Sequence, residues 1–83
     1  MSDNICTLNS LEKNETGYVL YLENEGALRR RLQDIGIIDG TEIECVGNSP
    51  FGDPKAYIIR GVQIALRNSD AVKIKIKKLQ NKD

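Results

Sequence analysis

A small, mainly β fold, a partly open barrel of about five strands with one short α-helix, is what this sequence predicts, and three observations predict it. Strand-favouring runs recur along the chain: Tyr18-Val19-Leu20-Tyr21-Leu22, Thr41-Glu42-Ile43-Glu44-Cys45, Ala56-Tyr57-Ile58-Ile59-Arg60 and Val72-Lys73-Ile74-Lys75-Ile76-Lys77. One stretch, roughly Glu25 to Ile35, carries helical spacing instead. The length of 83 residues makes one domain, expected to be ordered over about residues 7–78. A chain this short buries only about 60–65% of the surface that its unfolded form exposes, so the core is thin.

Taken from the N-terminus, residues 1–9 form a polar lead in which Leu8, with Leu11 after it, supplies the first anchors. Ser10-Leu11-Glu12-Lys13 can close a single helical turn, and Asn14-Glu15-Thr16-Gly17 turns the chain into the first strand. Asn24 is the expected N-cap, and Glu25 complements the positive end of the helix. Leu28, Leu32 and Ile35 follow at helical spacing on one face, and Gly36 can take the left-handed conformation that ends a helix. Asp39-Gly40 is a turn, after which Ile43 and Cys45 alternate inward.

Pro50 and Pro54 cannot donate to a ladder, so the segment they bracket is a loop. A hairpin symmetric about Gly52 sets Cys45 opposite Ile59 on the core side, and Glu44 opposite Arg60 and Val46 opposite Ile58 on the outer side. Gly61-Val62 reads as a tight two-residue turn, after which Ile64 and Leu66 pair with Ile59 and Tyr57. Asn68-Ser69-Asp70 is a loop. The last strand turns Val72, Ile74 and Ile76 in and Lys73, Lys75 and Lys77 out, and the tail from Gln80 is expected to be disordered. Strands in this number with one covering helix predict an SH3-like barrel, with an OB-like barrel as the alternative.

Composition excludes several function classes. Twelve lysines and arginines balance twelve aspartates and glutamates, so no net field draws nucleic acid or anionic lipid. No apolar stretch approaches the ~20 residues of a membrane span, and Met1-Ser2-Asp3-Asn4 lacks the character of a secretory signal. Cytoplasm is the expected compartment, and the start at Met1 with a polar tail suggests a complete protein. Two cysteines, Cys6 and Cys45, have no metal or disulfide spacing, and Cys45 is expected to be a buried thiol. Histidine is absent, which removes the commonest general base and transition-metal ligand. Asp39, Glu42, Glu44 and Asp53 do not have the count or spacing of a dedicated metal site. No nucleophile–base pair or phosphate loop is present; the sequence supports neither catalysis nor a cofactor.

Three groups are candidates for contact with a partner. Arg29, Arg30 and Arg31 fan around the helix at about 100° per residue, so they read either as a solvated face or as a docking surface for an acidic partner. Arg30 is placed to pair with Asp34 one turn on. Phe51, the lone phenylalanine, sits at a loop tip with Pro50 and Asp53, and either plugs the barrel mouth or forms an exposed aromatic anchor. Val46 and Ile58 on the outer face of the hairpin hint at a partner or at weak self-association. Lys73, Lys75 and Lys77 read as an edge strand guarded against pairing, or as a contact with nucleic acid; the scarcity of stacking aromatics argues against the latter.

The order of elements resembles a known family. Leu28-Arg29-Arg30-Arg31-Leu32-Gln33-Asp34-Ile35-Gly36-Ile37, then Gly40-Thr41-Glu42-Ile43, Pro50-Phe51-Gly52-Asp53-Pro54, Gly61 with Ile64-Ala65-Leu66-Arg67, and Asp70-Ala71 is similar to FeoA, the small cytosolic component of bacterial ferrous iron transport. Tyr21 and Val62 depart mildly from that pattern. The resemblance implies an SH3-like barrel without enzymatic activity, whose partner is FeoB, the membrane permease with a cytosolic G-protein domain. It implies regulation of transport by protein contact, with the membrane reached only through that partner. The same domain also ends metal-dependent repressors of the DtxR type. A detached metal-sensing or peptide-binding module of such a regulator is therefore the alternative, and a small nucleic-acid-binding barrel a third reading.

Overall fold

Alternating side chains and short turns fold this chain into one antiparallel sheet that curls over its apolar face. The computed structural model describes residues 5–48 and 50–79. In chain order the elements are β1 (Ile5–Thr7), a 3-10 turn (Leu8–Ser10), β2 (Thr16–Leu22), α1 (Gly26–Asp34), β3 (Glu42–Asn48), β4 (Lys55–Ile59), β5 (Val62–Leu66), α2 (Asn68–Ala71) and β6 (Ile74–Lys78). The strands lie in the order β1-β6-β2-β3-β4-β5. The sheet is barrel-like but not closed, with β1 and β5 at its edges.

Every element contributes to one core. Leu8 and Leu11 enter from the N-terminal segment, Val19 and Leu22 from β2, Ile43 and Cys45 from β3, Tyr57 and Ile59 from β4, and Ile74 and Ile76 from β6. Leu32 of α1 and Ile37 just beyond it cover the assembly, and Leu66 and Ala71 complete it. Alternation in β3 and β6 thus places the side chains as the sequence predicts.

The end of α1 shows why Ile37 is buried and Ile35 is not. Gly36 takes φ 109°, and its N–H donates to the carbonyl of Gln33 while the N–H of Ile37 donates to that of Leu32, both at 3.0 Å. This paired closure satisfies the last carbonyls and turns the next apolar residue, Ile37, back beneath the helix. Ile35 is left exposed at the cap, so the expected Leu28–Leu32–Ile35 face is cut short, with Leu28 half-buried. At the other end Glu25, not Asn24, is the cap residue, and it makes no side-chain bond. Asn24 is 2% exposed, and its Nδ2 instead donates to the carbonyl of Asp70 at 3.1 Å.

Four further expectations need correction. There are six strands, because Ile5–Thr7, too short to read within a polar lead, pairs with Thr7↔Lys75 through Ile5↔Lys77 of β6. That pairing also puts β6 between β1 and β2, so its lysines do not guard an edge. Lys75 instead pairs with Glu23 at 3.5 Å and Lys78 with Glu15 at 3.2 Å. Asn68–Ala71 forms one helical turn rather than a loop, and Val72, just past it, is exposed.

The β4–β5 turn is Arg60-Gly61, not Gly61-Val62. Both residues have positive φ, 54° and 83°, which is what the mirror-image turn of a two-residue hairpin requires. Ile59 therefore pairs with Val62 and Tyr57 with Ile64. In the β3–β4 hairpin, Cys45 faces Tyr57, Ile43 faces Ile59 and Glu44 faces Ile58, with a register shift between Cys45 and Gly47. Both registers differ from expectation by two residues. A shift of two keeps every side chain on its face, which is why the core was predicted while the cross-strand partners were not. The expected Glu44–Arg60 and Val46–Ile58 pairings do not form. The tail from residue 80 lies outside the described residues.

Candidate functional site

The loop between β3 and β4 is an exposed apolar tip on a tied base. Its tie comes from two neighbouring segments. The backbone N–H of Asn68, at the start of α2, donates to Asp53 Oδ1 at 2.8 Å, and Asn68 Nδ2 donates to the carbonyl of Gly52 at 3.1 Å. Where β4 begins, Lys55 Nζ donates to the carbonyls of Asn9 and Leu11 at 2.6 and 2.8 Å. These bonds restrain the loop from below while leaving its tip untouched. Phe51 is 93% exposed, so it does not plug the barrel. Pro50 is exposed beside it. Asp53, an expected contact residue, is exposed and also has a structural role: its carboxylate holds the loop to α2.

The arginine run divides in the same way. Arg29 Nη1 donates to the carbonyl of Leu22 at 2.8 Å and so staples α1 to the end of β2. Arg30 and Arg31 are exposed, and the Arg30–Asp34 pair does not form among the described residues. Arg31 in the last turn stands at the negative end of the helix, where a cation is favoured. No hydrogen bond or ion pair among the described residues links the three to the loop.

A second feature escaped sequence reasoning. Thr41, Glu42, Glu44, Ile58 and Arg60 line an open groove of about 380 Å³ on the outer face of β3 and β4. Arg60 reaches it from the tight turn by lying across the end of α1: its Cδ and Nε stand 3.0 Å from where a Cβ on Gly36 would be. The outward alternation of Glu42 and Glu44 and the expected placing of Arg60 and Ile58 on the same outer face were the clues in the sequence, but the expected register did not show that these side chains enclose a groove. Val46 and Ile58 are both half-buried rather than exposed, so they form no continuous apolar patch with Phe51.

Burial pushes the Cys45 thiol up, which keeps it protonated and inert. Burial likewise raises the Tyr57 phenol far above its ordinary value, and its hydroxyl has no hydrogen-bond partner among the described residues. The Glu15 carboxyl is lowered, first by the backbone N–H of Glu12 at 2.9 Å and then by Lys78. Among the described residues no group of three or more His, Cys, Asp and Glu side chains is placed to hold a metal ion. No helix among them is long and apolar enough to cross a membrane.

Comparison with known proteins gives this architecture its family. The chain is 30% identical over 69 residues to the Fe(2+) transport protein A/Fe(2+) transporter FeoB fusion protein of Porphyromonas gingivalis, covering 83% of this chain and 8% of that much longer protein. Its fold matches the solution structure of a FeoA-like protein from Clostridium acetobutylicum with a TM-score of 0.86 and 35% identity, over 100% of this chain and 95% of that one. It also matches the zinc-complexed FeoA of Stenotrophomonas maltophilia, described as a procaryotic SH3 domain protein, with a TM-score of 0.74 and 27% identity over 86% and 88% of the two chains. The sequence profile of the FeoA domain matches residues 6–78, and the chain belongs to the FeoA family.

Proposed function

We propose that this chain is a cytoplasmic accessory protein of ferrous iron uptake that regulates a FeoB-type permease by direct contact. One observation carries the reading: in the P. gingivalis relative, transport protein A and FeoB occupy a single polypeptide. Tethering two modules raises their effective concentration and is useful where they touch. The geometry agrees. Phe51 is an exposed aromatic on a loop tied at its base, the kind of side chain that can anchor an interface. Pro50 flanks it, and the exposed Arg30 and Arg31 offer a second, separate point of contact. Regulation follows from binding, and no turnover is assigned to the chain.

Titration of the purified chain against the detergent-solubilised ferrous iron permease of the same cell tests this reading. Saturable binding with one chain per permease is expected, lost when the permease's cytosolic domain is removed. Absence of binding in every nucleotide state of the permease would overturn it.

A further inference from the structure

β5 is an open edge of the sheet. It pairs with β4 on one side and ends the strand order on the other. Among the described residues, no backbone group outside that ladder bonds to Val62–Leu66. The turn fixes which groups are left over. A two-residue turn is flanked by a hydrogen-bonded pair, here Ile59 and Val62, so bonds toward β4 fall to Val62, Ile64 and Leu66. The N–H and C=O groups of Gln63 and Ala65 then point outward.

Proteins usually blunt such an edge with charge, proline, a bulge or a cover. The sequence of β5, Val-Gln-Ile-Ala-Leu, has neither charge nor proline. Its register with β4 is unbroken. Val62 stands 60% exposed on the same face that carries Leu66 into the core.

We infer that a second copy of this chain occupies the edge, the two β5 strands adding antiparallel about a two-fold axis at Ile64. In that register Gln63 of each copy meets Ala65 of the other, and each such pair exchanges both backbone hydrogen bonds. Ile64 meets Ile64, and Val62 meets Leu66, so the exposed valine is covered by an apolar neighbour. A strand added here must be uncharged and apolar at alternate positions, and β5 itself supplies that pattern. Among the described residues the other edge offers the three residues of β1, and a head-to-tail join closes only at particular rotations, whereas the two-fold always does. The nearest charges, Arg60 and Arg67, flank the strand, and the two-fold brings Arg67 of one copy beside the turn of the other. Their repulsion is screened by salt. Strands of five residues bury well under the ~1,200 Å² at which standard interfaces begin, so the dimer is weak and depends on concentration.

Sedimentation equilibrium of the full chain from micromolar to millimolar concentration, paired with amide exchange by NMR, tests this. A rising dimer fraction is expected, larger in added salt. The Gln63 and Ala65 amides should slow with concentration, whereas the Ile64 amide is protected throughout. Ala65→Pro removes one outward donor and leaves the β4 ladder intact, so it should abolish the dimer. Val62→Lys keeps every backbone donor at an exposed position and should weaken the dimer at least ~10-fold by setting a cation against the apolar Leu66. The inference is overturned by a monomer at all concentrations, by a dimer whose Gln63 and Ala65 amides ignore concentration, or by variants that dimerise like the parent. Protection of those amides only on adding the permease would also overturn it, while leaving the proposed function standing.

Discussion

The two hairpin connections of this protein, β3–β4 and β4–β5, are built differently. The β4–β5 turn is minimal: Arg60 and Gly61 reverse the chain, and Arg60 folds back over Gly36 at the end of α1. Its side chains contribute to the fold and to the rim of the groove. The β3–β4 loop is longer than the reversal needs, is tied at its base by Asn68 and Lys55, and leaves Phe51 in solvent. That contrast separates a connection whose side chains pack on the barrel from one whose apolar tip stays exposed and, under the proposed function, is the part that meets a partner.

The contrast can be broken or sharpened by substitution. The largest effect is expected at Gly36→Ala. The residue is left-handed and its new Cβ would meet Arg60 at 3.0 Å. Backbone strain alone costs about 1–2 kcal/mol, and the contact adds to it, so thermal melting should fall by several degrees. Combining it with Arg60→Ala should recover the contact part and leave the strain, a non-additivity that a double-mutant cycle reads directly. Gly61→Ala is expected to cost less, about 1 kcal/mol, because its Cβ would meet nothing within 4 Å. Equal losses at the two glycines would mean that Arg60 does not pack on the helix end.

Smaller still is the acid response of Glu15. Its carboxyl is lowered in the folded protein by the Glu12 N–H and Lys78, so its contribution is present above the unfolded value and lost as pH falls through the folded one. The group is near the surface, so the effect is screened and small. Glu15→Gln should therefore flatten part of the loss of stability in the acidic range of a pH-melt series and change little at neutrality.

How much of this was legible beforehand depends on what each feature rests on. The core residues of β3, β4 and β6 could be read from alternation, since a period of two survives a misplaced register. The partners across the strands could not: those of β4 and β5 depend on whether Arg60 or Gly61 opens the turn, and an arginine at positive φ is not what its residue type suggests, while those of β3 and β4 depend on a longer loop and an irregularity between Cys45 and Gly47. β1 was hidden because three residues carry no periodicity, and β6 was consequently mistaken for an edge. Among the candidate contacts, Phe51 was recognisable as anomalous but not as exposed. Arg29 and Asp53 are surface charges, as their residue types suggest, and what the sequence does not show is that they also bond to Leu22 and Asn68.

Phe51→Ala is the direct test of the central claim that this loop faces outward to a partner. Melting and permease binding should be measured on the same sample. The side chain is 93% exposed, so stability should stay within about 0.5 kcal/mol of the parent, while affinity for the permease should fall at least ~10-fold, the loss of an aromatic anchor. A destabilised variant that still binds as tightly as the parent would contradict the account.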